Sequence, residues 1–151
     1  MKRIKIMIGK SLGPEAIDSK VVSKVFIVRD GKEVLLLLRP EGIPHGGMWD
    51  LPGGHILVGE RLLDGTVREV REESELEIEE EDLIPVYDDG GLNYFFYADN
   101  WKGHFRRSHE HIDDAWIKLE DLTSYDMGPR YNKIMSKFLE LYEGRDEDQV
   151  G

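Results

Sequence analysis

The feature that most constrains this chain is a segment with two opposed faces at residues 62–76. Apolar side chains recur there at the spacing of one helical face, at Leu63, Val67 and Val70. Three carboxylates fall at i, i+3 and i+4 on nearly the opposite side, at Glu69, Glu72 and Glu73. The pattern predicts an amphipathic helix that buries one face and presents three acids together on the other.

Short segments rich in β-branched and aliphatic residues flank this helix and predict strands. These segments are residues 2–8, 21–29, 33–39, 82–88, 92–99 and 114–119. Asp30 and Gly31 form a two-residue hairpin signal between the strands on either side of them. A second amphipathic helix is predicted at 130–142. Strands, a helix, strands and a helix in this order indicate an α/β fold, with a mixed sheet and helices packed on it.

The length of 151 residues suits one domain. We predict a single domain over residues 1–143, in which residues 1–20 form an N-terminal strand and loop extension. The polar residues 144–151 are predicted to form a disordered tail.

Charge and cysteine content restrict the partners of the chain. The formal net charge of −11 would repel a nucleic-acid backbone, so no long nucleic acid is expected as a partner. The chain has no cysteine, which excludes disulfides and thiolate metal sites and is compatible with a reducing compartment. We find no signal-peptide pattern and no apolar run long enough to span a bilayer. We therefore expect a cytoplasmic protein with no membrane partner.

The three carboxylates of the first helix have two interpretations. Like charges at i,i+4 disfavour a helix. A hard divalent cation such as Mg²⁺ would relieve this repulsion, because it takes oxygen ligands and keeps waters and substrate phosphates in its shell. The other interpretation is a solvated acidic face, which is common in a chain this acidic. The three acids by themselves favour the solvated face.

A longer pattern of fixed residues favours the metal site instead. Five residues separate Gly54 from Glu60, seven separate Glu60 from the run Arg68-Glu69-Val70-Arg71-Glu72-Glu73, and Leu76 follows. This pattern resembles the motif of the Nudix hydrolases, the MutT-like family, except that Glu75 replaces a glycine. The resemblance implies the Nudix fold, an α/β/α sandwich with a central mixed β-sheet. A glutamate tolerates a left-handed helix end poorly, so the helix should either continue further or close differently.

The resemblance also implies roles for the residues of the motif. The metal ligands would be the carbonyl of Gly54 and three carboxylates, which also serve catalysis: Glu69, Glu72 and Glu73. Their cofactor would be Mg²⁺, with Mn²⁺ as a substitute. Glu60 and Arg68 would form a structural ion pair that holds the loop onto the helix.

A further catalytic acid is expected from a loop after the motif. Glu110 is the first candidate and Asp113 the second, although both are equally well explained as ordinary loop acids. Three nearby histidines have a loose spacing and no cysteine to help them, which disfavours a zinc site: His104, His109 and His111. One of them could instead contact a substrate phosphate.

Four residues are candidates for substrate binding. Arg39 and Arg106 could hold phosphate through a bidentate fork, although surface charge explains at least one of them better. Trp49 and Tyr94 could stack on a base, although core packing is the commoner role of a strand aromatic.

The resemblance finally implies a reaction. It is the Mg²⁺-dependent cleavage of a nucleoside diphosphate linked to another moiety, as in NDP-sugars, ADP-ribose or dinucleoside polyphosphates, by attack of water on phosphorus. One alternative is a (d)NTP pyrophosphohydrolase that cleans the nucleotide pool. Another is a non-catalytic nucleotide-sensing module. The partner in each case is a small nucleotide, and a homodimer that uses the N-terminal residues is a further possibility.

Overall fold

A computed structural model describes residues 15–16 and 20–150 of the chain, without the side chains of 146–150. The predicted strand at 2–8 and most of the predicted N-terminal extension lie outside the described residues. No helix in the described part is long and apolar enough to cross a membrane.

Seven strands of the described residues form one sheet. They are β1 (Val22–Arg29), β2 (Glu33–Leu38), β3 (Trp49–Asp50), β4 (Gly53–His55), β5 (Ile84–Asp88), β6 (Asn93–Ala98) and β7 (Asp113–Lys118). The pairing of β1 with β6 is parallel, and all the other pairings are antiparallel. The predicted mixed sheet is therefore confirmed. The two-residue strand β3 was not predicted, because a segment this short carries no periodicity.

The first two strands meet at the predicted hairpin turn and then separate. Asp30 and Gly31 both have positive φ, 55° and 66°, as a type I′ turn requires. Next to the turn, β1 and β2 pair at only two positions, Val28 with Val34 and Arg29 with Glu33. Further along, β4 takes the edge of β1 and β3 takes the edge of β2. The connection from Asp50 to Gly53 therefore lies between the two diverging strands.

In the described part of the chain, two α-helices cover the two faces of the sheet. They are α1 (Leu62–Ser74) and α2 (Tyr131–Val150), and two 3₁₀ turns occur at Glu80–Asp82 and Leu119–Ser124. Strand β1 alternates between two cores. Val25 and Ile27 pack with α1, whereas Phe26 and Val28 pack with α2. The α/β/α sandwich is confirmed.

The second helix is longer than the sequence predicted. The apolar pattern ended at Tyr142, whereas α2 continues to Val150 and so includes most of the residues that the sequence assigned to a polar tail. The Arg145 guanidinium lies 3.6 Å from the centre of the Tyr142 ring and donates to the Tyr142 carbonyl at 2.6 Å. An apolar stripe predicts a helix only as far as its last apolar residue, and residues 143–149 are all polar or glycine.

The first helix ends where its motif would place a glycine. Glu75 follows the last helical residue in a left-handed conformation, with φ 62° and ψ 12°. Its N–H donates to the carbonyl of Arg71 at 2.8 Å. Both sequence expectations, a longer helix or a differently closed end, are wrong, because glutamate adopts the conformation that suits glycine. This conformation costs roughly 1–2 kcal/mol for a residue with a Cβ.

Candidate active site

The turn at Gly53 and Gly54 allows α1 to lie against the sheet. Gly53 has φ 134°, and a Cβ atom there would collide with the carbonyl oxygen of Ser23. A Cβ atom on Gly54 would lie 2.5 Å from Oε2 of Glu69. Only residues without a side chain permit this approach. The two glycines therefore place backbone groups where a helix carboxylate can reach them.

Glu73 is the buried acid of this site. Its side chain is 5% exposed, and its Oε1 accepts a hydrogen bond from the N–H of Gly53 at 2.9 Å. Burial raises the pKa of Glu73 to about 8; Lys24 opposes the shift, and Glu69 and Asp50 add to it. A carboxylate in this position is costly to ionise unless a cation approaches it.

Glu69 and Glu72 lie progressively closer to solvent. Burial raises the pKa of Glu69, Arg68 opposes this shift, and the charges of Glu72 and Glu110 raise the pKa further. The side chain of Glu72 is 54% exposed and accepts a hydrogen bond from Nη1 of Arg68 at 3.1 Å. The helix thus presents one buried, one half-buried and one exposed carboxylate.

Arg68 joins the helix to the loop that precedes it. Its Nε and Nη2 donate to the two carboxylate oxygens of Glu60 at 2.8 and 3.0 Å, and Nη2 also donates to the carbonyl of His55 at 3.1 Å. Hydrogen bonds from Arg68 and from the N–H of Leu57 lower the pKa of Glu60. A Cβ atom on Gly65 would lie 2.7 Å from Oε1 of Glu60. This two-bond pair fixes the loop between β4 and α1.

The loop after β6 is attached to the C-terminal end of α1. The N–H groups of Arg106 and Ser108 donate to the carbonyls of Ser74 and Glu73 at 2.9 and 3.2 Å. These carbonyls have no partner within the helix. The attachment places Glu110, which is exposed, close enough for its charge to affect Glu69. The carboxylates of Glu110 and Glu69 are therefore close enough to interact electrostatically.

The three candidate histidines lie in different environments. His104 and His109 are exposed. His111 is buried, and its Nδ1 has no hydrogen-bond partner. Burial lowers the pKa of His111 to about 4, and the positive charge of Lys24 adds to this effect. His111 is therefore neutral at pH 7.

A buried polar network lies under the turn, and the sequence analysis did not identify it. Nζ of Lys24 donates to Oδ2 of Asp50 at 3.0 Å and to the carbonyls of Leu51 and Gly53 at 3.4 Å. Oδ1 of Asp50 accepts from the hydroxyl of Tyr131 at 2.7 Å. Ionic and hydrogen-bond contacts hold the pKa of Asp50 below its usual value despite the opposing effect of burial. The available signal was a lysine in β1 directly before the four apolar residues 25–28.

The four candidate substrate residues occupy different places. Nε and Nη2 of Arg39 donate to the carbonyl of Pro44, and its Nη1 lies 3.7 Å from Oδ2 of Asp50. Trp49 is half-buried and meets the ring of Tyr125 edge-on at 5.7 Å. The other two differ: Tyr94 packs against the core under α1, and Arg106 is exposed. The structure therefore places Arg39 and Trp49 beside the turn and Tyr94 in core packing.

The groups around the turn suit a hard divalent cation. They are carboxylate and carbonyl oxygens, which Mg²⁺ and Mn²⁺ prefer. Among the described residues, no three acidic or histidine side chains already meet at a spacing that would enclose a metal ion. Nη1 of Arg68 donates to Oε1 of both Glu69 and Glu72 at 3.1 Å. Of these two acids, Glu69 also lies against the glycine turn, as Glu73 does. Glu69 and Glu73, with the carbonyl of Gly54, are the groups that fit best.

Comparisons with known proteins point to the same family as the motif does. The model of the NUDIX domain matches residues 19–139. The CTP pyrophosphohydrolase of Escherichia coli K12 is 27% identical over 131 residues, which cover 84% of this chain and 96% of that protein. The nucleoside triphosphatase NudI of Escherichia fergusonii is 27% identical over 126 residues, which cover 73% and 89%.

A solved structure of a similar protein has the same fold. A MutT structure from work on Aliivibrio salmonicida and Vibrio cholerae superimposes with a TM-score of 0.68 at 21% identity, over 78% of this chain and 94% of that one. At this identity the likeness shows the fold. The family match over most of the chain, together with the motif on α1, shows that the chain belongs to the NUDIX domain family, as a MutT-like Nudix hydrolase.

Proposed function

We propose that this chain is a Mg²⁺-dependent nucleoside-triphosphate pyrophosphohydrolase, which releases a nucleoside monophosphate and pyrophosphate. The observation that carries the chemistry is the contact of Glu69 and Glu73 with the glycine turn. The substrate class follows from the relatives, which are named as a CTP pyrophosphohydrolase and a nucleoside triphosphatase and are matched over 96% and 89% of their lengths.

The chain supplies groups for binding and for proton transfer. Bound Mg²⁺ would neutralise the bridging phosphates and lower the pKa of a water ligand. Glu73, Glu69 and the Gly54 carbonyl are the proposed ligands, and Glu72 becomes a third carboxylate ligand if it leaves Arg68. Glu110, exposed and near Glu69, is the proposed acceptor of the proton of the attacking water. Mn²⁺, which accepts the same oxygen ligands, is expected to replace Mg²⁺.

The sequence placed a different substrate first, a nucleoside diphosphate linked to another moiety. The two relatives favour the triphosphate reading, which the sequence had as its alternative. Tyr94, a candidate for stacking on a base, packs against the core and so adds no support for a dinucleoside polyphosphate. A sensor without activity would have no use for every carboxylate of the motif.

The experiment that tests the proposal is a substrate panel with product identification. Purified protein is incubated with CTP, the other triphosphates, UDP-glucose, ADP-ribose and diadenosine tetraphosphate, with Mg²⁺ or with EDTA. We expect triphosphates to give monophosphate and pyrophosphate only with metal, and water labelled with ¹⁸O to place its label on one product. Cleavage of the diphosphate compounds alone would establish the other reading. If no compound is hydrolysed, the proposal is wrong.

Two variants test the assigned acids. Glu69→Gln and Glu73→Gln keep the size of the side chain and remove its charge. Each should lower kcat/KM at least about 100-fold, because the lost groups act on metal and water in the transition state. Glu140→Gln, at an exposed position of α2, is the matched control and should retain wild-type activity. Full activity in both active-site variants would contradict the assignment.

A further inference from the structure

We propose that Lys24 is a positioning residue for the proposed metal site, and that its buried ammonium fixes the backbone from Asp50 to Gly53 so that the Gly54 carbonyl and Glu73 face the same cation. This inference rests on the proposed function. It adds a residue that lies outside the motif and donates its hydrogen bonds to Asp50 and to the carbonyls of Leu51 and Gly53 rather than to the proposed carboxylate ligands.

The position of Lys24 suits this role. It lies in β1, 6% exposed, and its neighbours Val25 and Phe26 are fully buried in the two cores. Strand β1 pairs here with β4, and Lys24 stands opposite Gly53 in the register. A lysine at this point therefore reaches the turn from the strand on which the turn is built.

The contacts of the ammonium are directed at the turn. Three acceptors surround it: Oδ2 of Asp50 at 3.0 Å and the carbonyl oxygens of Leu51 and Gly53, both at 3.4 Å. Their number equals the three donors of an ammonium group. The same Gly53 that receives this contact through its carbonyl donates its N–H to Glu73 at 2.9 Å. A single residue, Gly53, thus connects the lysine to the buried acid, and the residue after it is Gly54.

The other end of the network is anchored on the far side of the sheet. Oδ1 of Asp50 accepts from the hydroxyl of Tyr131 in α2 at 2.7 Å and from the N–H of Leu51 at 2.8 Å. Asp50 is 3% exposed. Both oxygens of the Asp50 carboxylate are therefore held by hydrogen bonds. The Lys24 ammonium thus has a fixed partner next to the turn.

A purely structural ion pair is the rival explanation, and a charge-matched replacement separates the two. Lys24→Met with Asp50→Asn removes one positive and one negative charge, so the local net charge stays the same. The amide oxygen that Asp50→Asn introduces can still accept from Tyr131. Replacing a buried ion pair by neutral groups of similar size often preserves stability. A folded double variant therefore lacks the ammonium contacts to the turn without carrying an unpaired buried charge.

The direct measurement is Mn²⁺ binding without nucleotide, followed by the electron paramagnetic resonance signal of free Mn²⁺. We expect the folded double variant to bind Mn²⁺ at least about ten-fold more weakly than wild type, as for other groups that orient metal ligands. In turnover, the Mg²⁺ concentration for half-maximal rate should rise by about the same factor. The KM for the nucleotide should change less than about two-fold, because the lysine contacts the turn rather than the substrate.

Tyr131→Phe is the matched control within the same network. It removes the hydroxyl contact to Asp50 and leaves the lysine contacts to the turn, so it should lower the melting temperature but weaken Mn²⁺ binding much less than the double variant does. If the first double variant does not fold, Lys24→Gln with Asp50→Asn repeats the test with two amides that can bond to each other.

The outcomes distinguish the two proposals. If wild-type protein binds no Mn²⁺, the proposed function fails. If wild type binds Mn²⁺ and a folded double variant binds it equally well, the inference about Lys24 is overturned. It is also overturned if neither double variant folds, because the pair would then serve the fold as a whole rather than the turn.

Discussion

Two charged networks support the same site from opposite sides, and they differ in burial and in sequence distance. The network of Glu60, Arg68 and Glu72 lies at the solvent side of α1, and the arginine side chain is 22% exposed. The network of Lys24, Asp50 and Tyr131 lies under the turn, where each residue is at most 6% exposed.

The difference shows which part of a site a local pattern can encode. Arg68 meets Glu72 four residues later and Glu60 eight residues earlier, so helix geometry and one short loop bring them together. Lys24 meets Asp50 across 26 positions, and Asp50 meets Tyr131 across 81. Only a sheet with a helix on each face brings these three residues together. The buried network should also matter more for stability, because unpaired charges are costlier there.

The largest effect is expected for Lys24→Met alone, which leaves the buried Asp50 with only the more distant guanidinium of Arg39, at 3.7 Å. We expect the free energy of unfolding to fall by about 3–5 kcal/mol. Urea titration followed by circular dichroism measures this loss. Addition of Asp50→Asn should recover much of it. A single variant as stable as wild type would show that the buried pair contributes nothing beyond its packing.

The next effect is the pH dependence of Glu73, which contacts the turn above the buried network. Its pKa in the folded chain is about 8 against an ordinary value of 4.5, so the folded state binds more protons between these values. The stability of metal-free protein should therefore fall as pH rises from about 4.5 to about 8, by up to about 5 kcal/mol, and then level off.

Unfolding in EDTA from pH 4.5 to 9 measures this effect, with Glu73→Gln as the comparison. The variant should lack the decline. Because a cation favours the ionised carboxylate, Mg²⁺ should stabilise wild type more at pH 8 than at pH 5. Parallel pH curves for wild type and variant would contradict the raised pKa.

A smaller effect is expected for Arg68→Met in the partly exposed network. The loss of stability should be about 1–2 kcal/mol, since exposed ion pairs contribute little and only the two-bond geometry with Glu60 adds to this. The loss should shrink at high salt. A loss as large as that of Lys24→Met would remove the distinction between the two networks.

The smallest effect is a gain in stability from Glu75→Gly at the end of α1. Glycine removes the cost of the left-handed conformation but increases the conformational freedom of the unfolded chain, so the net gain should be roughly 0.5–1 kcal/mol. A thermal melt detects it. Glu77→Gly, just beyond the helix end, is the control and should bring no such gain. A loss in Glu75→Gly would show that the glutamate side chain supports the helix end.

The sequence by itself determined the elements and the motif. The period of α1, the alternation of the strands and the Asp30-Gly31 turn each depend on a few neighbouring residues, so each could be recognised without tertiary information. The same holds for the face that carries Glu69 and Glu73. The order of strands and helices then indicated the α/β class, because few packings bury both faces of such a sheet.

Tertiary structure alone decided the features that depend on distant contacts. It placed Lys24 beside Asp50 and the turn, joined Tyr131 to that pair, and attached the loop that carries Glu110 to the end of α1. It also set Glu75 in a conformation that local preference disfavours. The physical reason is the same in each case. The free energy of these arrangements comes from partners far away in the chain, and no local pattern records them.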